Sequence, residues 1–116
     1  GLFSTAGDVA KFCQMLLNDG TLEGRRYVSP EAVREMTRKQ TADAVPDAYG
    51  LGWAVGGDWF GHGGAYATNM TVDRKHGLVL VYMVHHAGFP KDGATCGELF
   101  RRLALERYAT GTGDAQ

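Results

Sequence analysis

The chain has 116 residues, 44% hydrophobic and 22% charged, with a formal net charge of −1 at pH 7. That length holds one domain, able to bury roughly two-thirds of its unfolded surface. The near-neutral balance, with Arg25-Arg26 and Arg101-Arg102 standing as isolated pairs, argues against a nucleic-acid partner. The longest apolar run, Leu78–Val84, is far too short to span a bilayer.

In chain order, Val9, Phe12, Cys13, Leu16 and Leu17 recur at helical spacing behind Ser4 and Thr5. Thr5 with Asp8 three residues on has the form of a capping box, and Asn18-Asp19-Gly20 closes the helix. Residues 24–28 read as a short extended link. Ser29-Pro30-Glu31 supplies a cap, a proline at the first helical position and an acid in the first turn, so a second helix starts there. Its apolar face is Val33 and Met36, with Ala32 beside them. Residues 40–48, polar and punctuated by proline, form a loop.

From Tyr49 to Val55 large residues alternate with Gly50, Gly52 and Ala54. Period two predicts a strand with one bulky face and one bare face that another element can approach closely. The bulky stripe of Tyr49, Leu51, Trp53 and Val55 reads as core. Gly56-Gly57-Asp58 turns into a second extended segment, 59–65, and residues 66–73 alternate Met70 and Val72 against Asn69, Thr71 and Asp73. After the turn 74–77, Leu78–Val84 is apolar on both faces and predicts a central strand. Following a loop over 87–93, residues 95–109 form a helix with Leu99, Phe100, Leu103, Ala104 and Tyr108 inward. The fold class is α+β: two N-terminal helices, a three-stranded antiparallel meander and a C-terminal helix packed on the sheet. Residues 1–110 make one domain and 111–116 a disordered tail. A sheet of this size around a doubly apolar strand is under-covered and calls for further elements.

Cys13 and Cys96 lie in helical patterns outside any CxxC, which predicts buried free thiols. No stretch has the pattern of a signal peptide, and the compartment stays open between periplasmic or secreted and cytoplasmic. The chain starts at Gly1, already inside a capped helix start, which leads us to expect a piece of a longer protein.

The densest glycine cluster is WFGHGGAYATNM, residues 59–70, where His62 stands between Gly61 and Gly63-Gly64. Glycine weakens a strand, so glycines this dense mean that backbone or ligand must come close. On spacing alone the histidine reads as a hairpin residue without chemistry. The ordered set GLFSTAGDVAKFCQMLLNDG, YVSPEAVREM, YGLGWAV and FGHGGAYATNMTVDRKHGLVLVYMVHHA changes that reading. Over nearly the whole chain it resembles the C-terminal part of the serine β-lactamase-like hydrolases, the family of class C β-lactamases, DD-peptidases, D-aminopeptidases and related esterases.

The resemblance implies a partial β-lactamase/transpeptidase-like fold and an acyl-enzyme mechanism on an amide, ester or β-lactam carbonyl. His62-Gly63-Gly64 matches the family's late strand motif in its His-x-Gly form. On that match His62 presents a hydrogen-bond donor to substrate or to the catalytic tyrosine, and Ala65 supplies an oxyanion-hole N–H. Gly63 and Gly64 let substrate approach the backbone, and Tyr66 and Asn69 line the cleft floor. No cofactor is implied. The partner implied is a small acyl substrate: an ester, a D-amino-acid peptide or a β-lactam.

The family's other two motifs have no counterpart. Neither Ser4 nor Ser29 begins Ser-x-x-Lys, and the residues two before Asn18 and Asn69 are Leu16 and Ala67, so Tyr-x-Asn is missing. Without an activated nucleophile this polypeptide alone is expected to be inactive. It is also expected to self-associate or to pair with a missing N-terminal part through exposed sheet edge. The alternative function is a non-catalytic interaction module using that edge. A metal site is disfavoured, because adjacent His85 and His86 on a strand point to opposite faces and no His-x-x-x-His or Cys/His cluster occurs.

Overall fold

A computed structural model describes residues 2–88, 93 and 95–109. The predicted tail, 111–116, and most of the loop before the last helix lie outside the described residues. Helix α1, Ala6–Leu17, starts where Thr5 Oγ1 accepts from the Asp8 N–H at 3.2 Å. The Asp8 carboxylate accepts from the Thr5 hydroxyl at 3.1 Å, so Thr5 rather than Ser4 is the cap. The helix ends in a Schellman arrangement: the Gly20 N–H reaches Met15 O at 2.8 Å and the Asp19 N–H reaches Leu16 O at 3.1 Å. Helix α2, Pro30–Thr37, is capped by Ser29, whose Oγ accepts from the Ala32 N–H at 3.1 Å.

Between the helices, where the pattern predicts only an extended link, lies a paired element. Strands β1, Thr21–Leu22, and β2, Arg25–Arg26, pair as a hairpin. Its two central residues, Glu23 and Gly24, both take positive φ, 49° and 78°, the geometry of a type I′ turn. Glutamate is an uncommon first residue for that turn, which is why the signal was silent.

The main sheet is antiparallel in the order β3–β4–β5–β6: Ala54–Val55, Trp59–Gly63, Asn69–Asp73 and Leu78–Tyr82. It therefore has four strands where three were predicted. The last three make a meander, and the additional one, β3, is what remains of the strand predicted over 49–55. Gly52 takes φ 83°, the Gly50 N–H bonds to Trp53 O at 2.8 Å, and Tyr49 bridges Ala54, so a tight turn replaces the first half of the predicted strand. Leu51 accordingly faces solvent, while Trp53 and Val55 are buried. The bare face is used as expected at Gly50, where a side chain would strike the carbonyl of Met36 at the end of α2.

The core lies between α1, α2 and one sheet face. Cys13, Met15, Leu16, Val33, Trp53, Val55, Phe60 and Val72 form it. Phe60 opposes Val72, which opposes Val79, across three strands, and the Trp53 ring meets Phe60 edge-on at 5.3 Å. Burial pushes the Cys13 thiol up to about 11, so it stays neutral. Cys96, predicted buried, is exposed at the start of α3, Cys96–Tyr108.

Leu78–Val84 was predicted to run centrally, yet β6 is an edge strand among the described residues; its two apolar faces reflect α1 on one side and α3 on the other, with no neighbour along its outer rim. The α3 face is also looser than predicted: Leu99, Leu103 and Tyr108 are exposed, and Phe100 is itself 36% exposed. Its anchor is Phe100, whose ring lies 5.5 Å from that of Tyr82.

The β5–β6 turn carries a buried carboxylate. Asp73 accepts from the His76 backbone N–H at 3.0 Å and from His76 Nδ1 at 2.9 Å. Burial acts to raise the Asp73 carboxyl, but the two His76 hydrogen bonds and the His76 and Arg101 charges outweigh it and hold the group below its ordinary value. A depressed carboxylate contributes stability that is present above its unfolded pKa and lost as pH falls through the folded one. Asp73→Asn is expected to cost about 1–3 kcal/mol at neutral pH. Urea unfolding at a series of pH values should show the two proteins converging in acid; a constant gap would refute the assignment.

Candidate active site

The glycine-flanked segment forms the end of β4 and the hairpin into β5. Side chains alternate along β4, so His62 projects from the same face as Phe60, opposite Met70, but beyond the end of the core. It is exposed, as a substrate-contacting residue requires. Gly61 points the other way and is buried; a side chain there would strike the backbone of β5 at Met70 O. Gly63 is different. A Cβ there would meet nothing closer than Asn69 Nδ2 at 3.6 Å, so packing within the chain leaves its face open.

Gly64 and Thr68 close a three-residue loop, 65–67. The Gly64 N–H bonds to Thr68 O at 2.8 Å and the Ala67 N–H to Gly64 O at 3.2 Å. Ala67 takes φ 63°, while Ala65 and Tyr66 have negative φ: a type I turn followed by a left-handed residue. Ala65 is thus the second residue of the turn, where folding leaves the amide unpaired. Among the described residues no acceptor engages the Ala65 N–H. The Tyr66 carbonyl accepts from the His86 N–H at 3.2 Å, and the Tyr66 ring lies 5.1 Å from that of His85, tying the loop to the segment after β6.

One partner of His62 escaped the sequence reading. The Tyr49 hydroxyl lies 2.7 Å from His62 Nε2, the two rings meeting at 81° with centroids 5.8 Å apart. By pattern Tyr49 belongs to a core stripe, and no local signal ties it to a residue thirteen positions on. His62 Nδ1 lies 2.6 Å from Gly63 O. A carbonyl oxygen only accepts, so Nδ1 carries a hydrogen, and in the neutral ring Nε2 accepts from the Tyr49 hydroxyl.

Not all the expected site residues come together. Asn69 pairs with Gly63 across the strands and sits on the face opposite His62. There it accepts from the Thr71 hydroxyl at 3.0 Å and lines a cavity of about 550 Å³ between the sheet and α3. Trp59, Tyr82, Phe100 and Arg101 also line that cavity, and of the motif only Gly63 and Gly64 reach it. His62, Ala65 and Tyr66 remain together at the hairpin end. Among the described residues no group of three or more His, Cys, Asp or Glu gathers as a metal site, and no helix is long and apolar enough to cross a membrane.

Comparison with known proteins matches residues 1–104 to the Beta-lactamase family model. Protein Rv1367c of Mycobacterium tuberculosis (strain ATCC 25618 / H37Rv) is 35% identical over 112 residues, covering 74% of this chain and 28% of that protein. A protein of Escherichia coli O157:H7 named "Putative D-alanyl-D-alanine carboxypeptidase" is 30% identical over 97 residues, covering 72% of this chain and 22% of that protein. The chain thus spans about a quarter of the length of these curated relatives.

Proposed function

Since this chain belongs to the beta-lactamase family, we propose that it forms one wall of a serine hydrolase site, with the nucleophile supplied by polypeptide outside it. The observation that carries this reading is the pairing of an exposed His62 with an unengaged Ala65 N–H three residues on, at the open end of one strand. A serine elsewhere attacks an acyl carbonyl, the Ala65 N–H stabilises the oxyanion, and water cleaves the acyl-enzyme. Gly63 adds no side chain beside the reacting carbonyl, and His62 holds the Tyr49 hydroxyl at the rim of the site. Cys13, buried and neutral, is no substitute nucleophile.

The substrate class is an ester, a D-amino-acid peptide or a β-lactam. His-x-Gly in place of Lys-Thr-Gly tilts the reading toward a peptidase or esterase, and the name of the Escherichia coli relative points the same way. The outer rim of β6 is the surface through which the chain pairs with the remaining polypeptide or with another copy. That same rim favours the second reading, an interaction module without catalysis.

The test is turnover of a nitrophenyl ester, a D-amino-acid peptide and a chromogenic cephalosporin by the full-length protein. His62→Ala is expected to lower kcat/KM about tenfold on at least one of these substrates, through loss of the hydrogen bond that holds the Tyr49 hydroxyl at the site. If every rate survives that substitution, His62 has no such role. Absence of any turnover by the full-length protein decides for the interaction module.

A further inference from the structure

The hydrogen on Nδ1 of His62 is taken by Gly63 O. The lone pair on Nε2 is taken by the Tyr49 hydroxyl. His62 is therefore saturated within the chain, and the unused hydrogen-bonding capacity at this point belongs to the Tyr49 oxygen. That oxygen donates its hydrogen to Nε2 and keeps acceptor capacity for a further donor.

Tyr49 is also firmly held. Its carbonyl accepts from the Gln40 N–H at 2.6 Å and the Thr41 N–H at 3.3 Å, and its own N–H donates to Thr41 Oγ1 at 3.3 Å. It bridges Ala54, and two residues on the Leu51 N–H bonds to Met36 O at 2.9 Å. The α2 end, the 40–48 loop and the Gly52 turn thus fix the backbone at Tyr49, while His62 fixes the direction of its hydroxyl. Support of this kind is what keeps a binding group within the narrow range of useful geometry.

We propose that Tyr49 is a substrate-positioning residue whose hydroxyl, aimed by His62, accepts a hydrogen bond from an N–H on the acyl side of the substrate. This rests on the hydrolase reading above and narrows it. Substrates carrying an amide or amine N–H beside the scissile carbonyl, as amino-acid derivatives do, are favoured over plain acyl esters, which offer that oxygen nothing. Tyr49 and His62 act as one unit, so the two substitutions are non-additive on such substrates.

The experiment compares two nitrophenyl esters in the full-length protein, one of an N-acylated D-amino acid and one of butyric acid. Tyr49→Phe keeps the ring and removes the hydroxyl. It is expected to lower kcat/KM about fivefold to tenfold on the amino-acid ester and to leave the butyrate within about twofold. In a His62→Ala background it is expected to add little. An equal loss on both esters, or no loss on either, overturns the proposal. A full-length protein that turns over neither ester defeats the hydrolase reading; turnover of both, with His62→Ala leaving the amino-acid ester untouched, overturns the proposal alone. Nitrogen-15 NMR of the wild-type imidazole gives a measurement that needs no variant: the hydrogen is expected on Nδ1 with Nε2 acting as acceptor. An Nε2–H tautomer overturns the proposal.

Discussion

Ala65→Pro in the full-length protein is expected to leave the fold intact and to lower kcat about a hundredfold to a thousandfold, the cost of losing one oxyanion-hole donor. Proline removes the N–H and nothing else that the loop uses. Ala65 is the second residue of a type I turn closed by the Ala67 N–H on Gly64 O, a position at which proline is favoured because its fixed φ suits the turn. The preceding residue is Gly64, which tolerates the restriction that proline imposes on its neighbour. The amide removed is engaged by no acceptor among the described residues, so folding loses no hydrogen bond. The measurement pairs kcat on a nitrophenyl ester with the urea midpoint. Full turnover with an unchanged midpoint would take Ala65 out of the mechanism, and Ala65→Gly, which retains the N–H, should keep the rate.

Phe60→Ala is expected to destabilise the protein by about 3–5 kcal/mol, the range for deleting a buried aromatic ring. Phe60 is 1% exposed and joins the sheet to the helical layer: Trp53 meets its ring edge-on at 5.3 Å, and the Arg74 guanidinium lies over it at 5.3 Å. Val72 faces it across the sheet. The cavity left behind would open beneath the strand whose far end carries His62, so activity should fall along with stability. Urea unfolding is expected to show a lower midpoint with little change in slope. A loss below about 1 kcal/mol would mean that the cavity collapses freely and that Phe60 is not the centre of this core.

The two N-terminal helices were legible because their signals are local. Thr5, Ser29 and Pro30 act on amides within three residues of themselves, and the Asn18-Asp19-Gly20 stop depends only on nearby carbonyls. The meander was legible from the alternation around Val72 and the apolar run at Leu78. Less legible was the segment 49–55. A period of two cannot distinguish a strand from a tight turn whose flanks happen to alternate, and the positive φ at Gly52 decided it. The β1–β2 hairpin was hidden because Glu23 takes a conformation that its side chain does not advertise.

At the site, chain order and residue type pointed to His62 and to the Ala65 amide, and the resemblance to a family carried most of that weight. Position on a strand also determines the face of a side chain, yet the motif reading grouped Asn69 with His62, although the register sets them on opposite sides of the sheet. By itself the sequence determined what depends on neighbours within a turn or two: the caps, the helix stops, the strand alternation and the glycines around position 62. Tertiary structure decided which distant groups meet. It brought the Tyr49 hydroxyl to His62, left β6 without a neighbour along its outer rim among the described residues, and turned Asn69 toward α3. Local hydrogen bonds are dictated by the backbone's own geometry, whereas such meetings depend on strand register and loop closure summed over the whole chain.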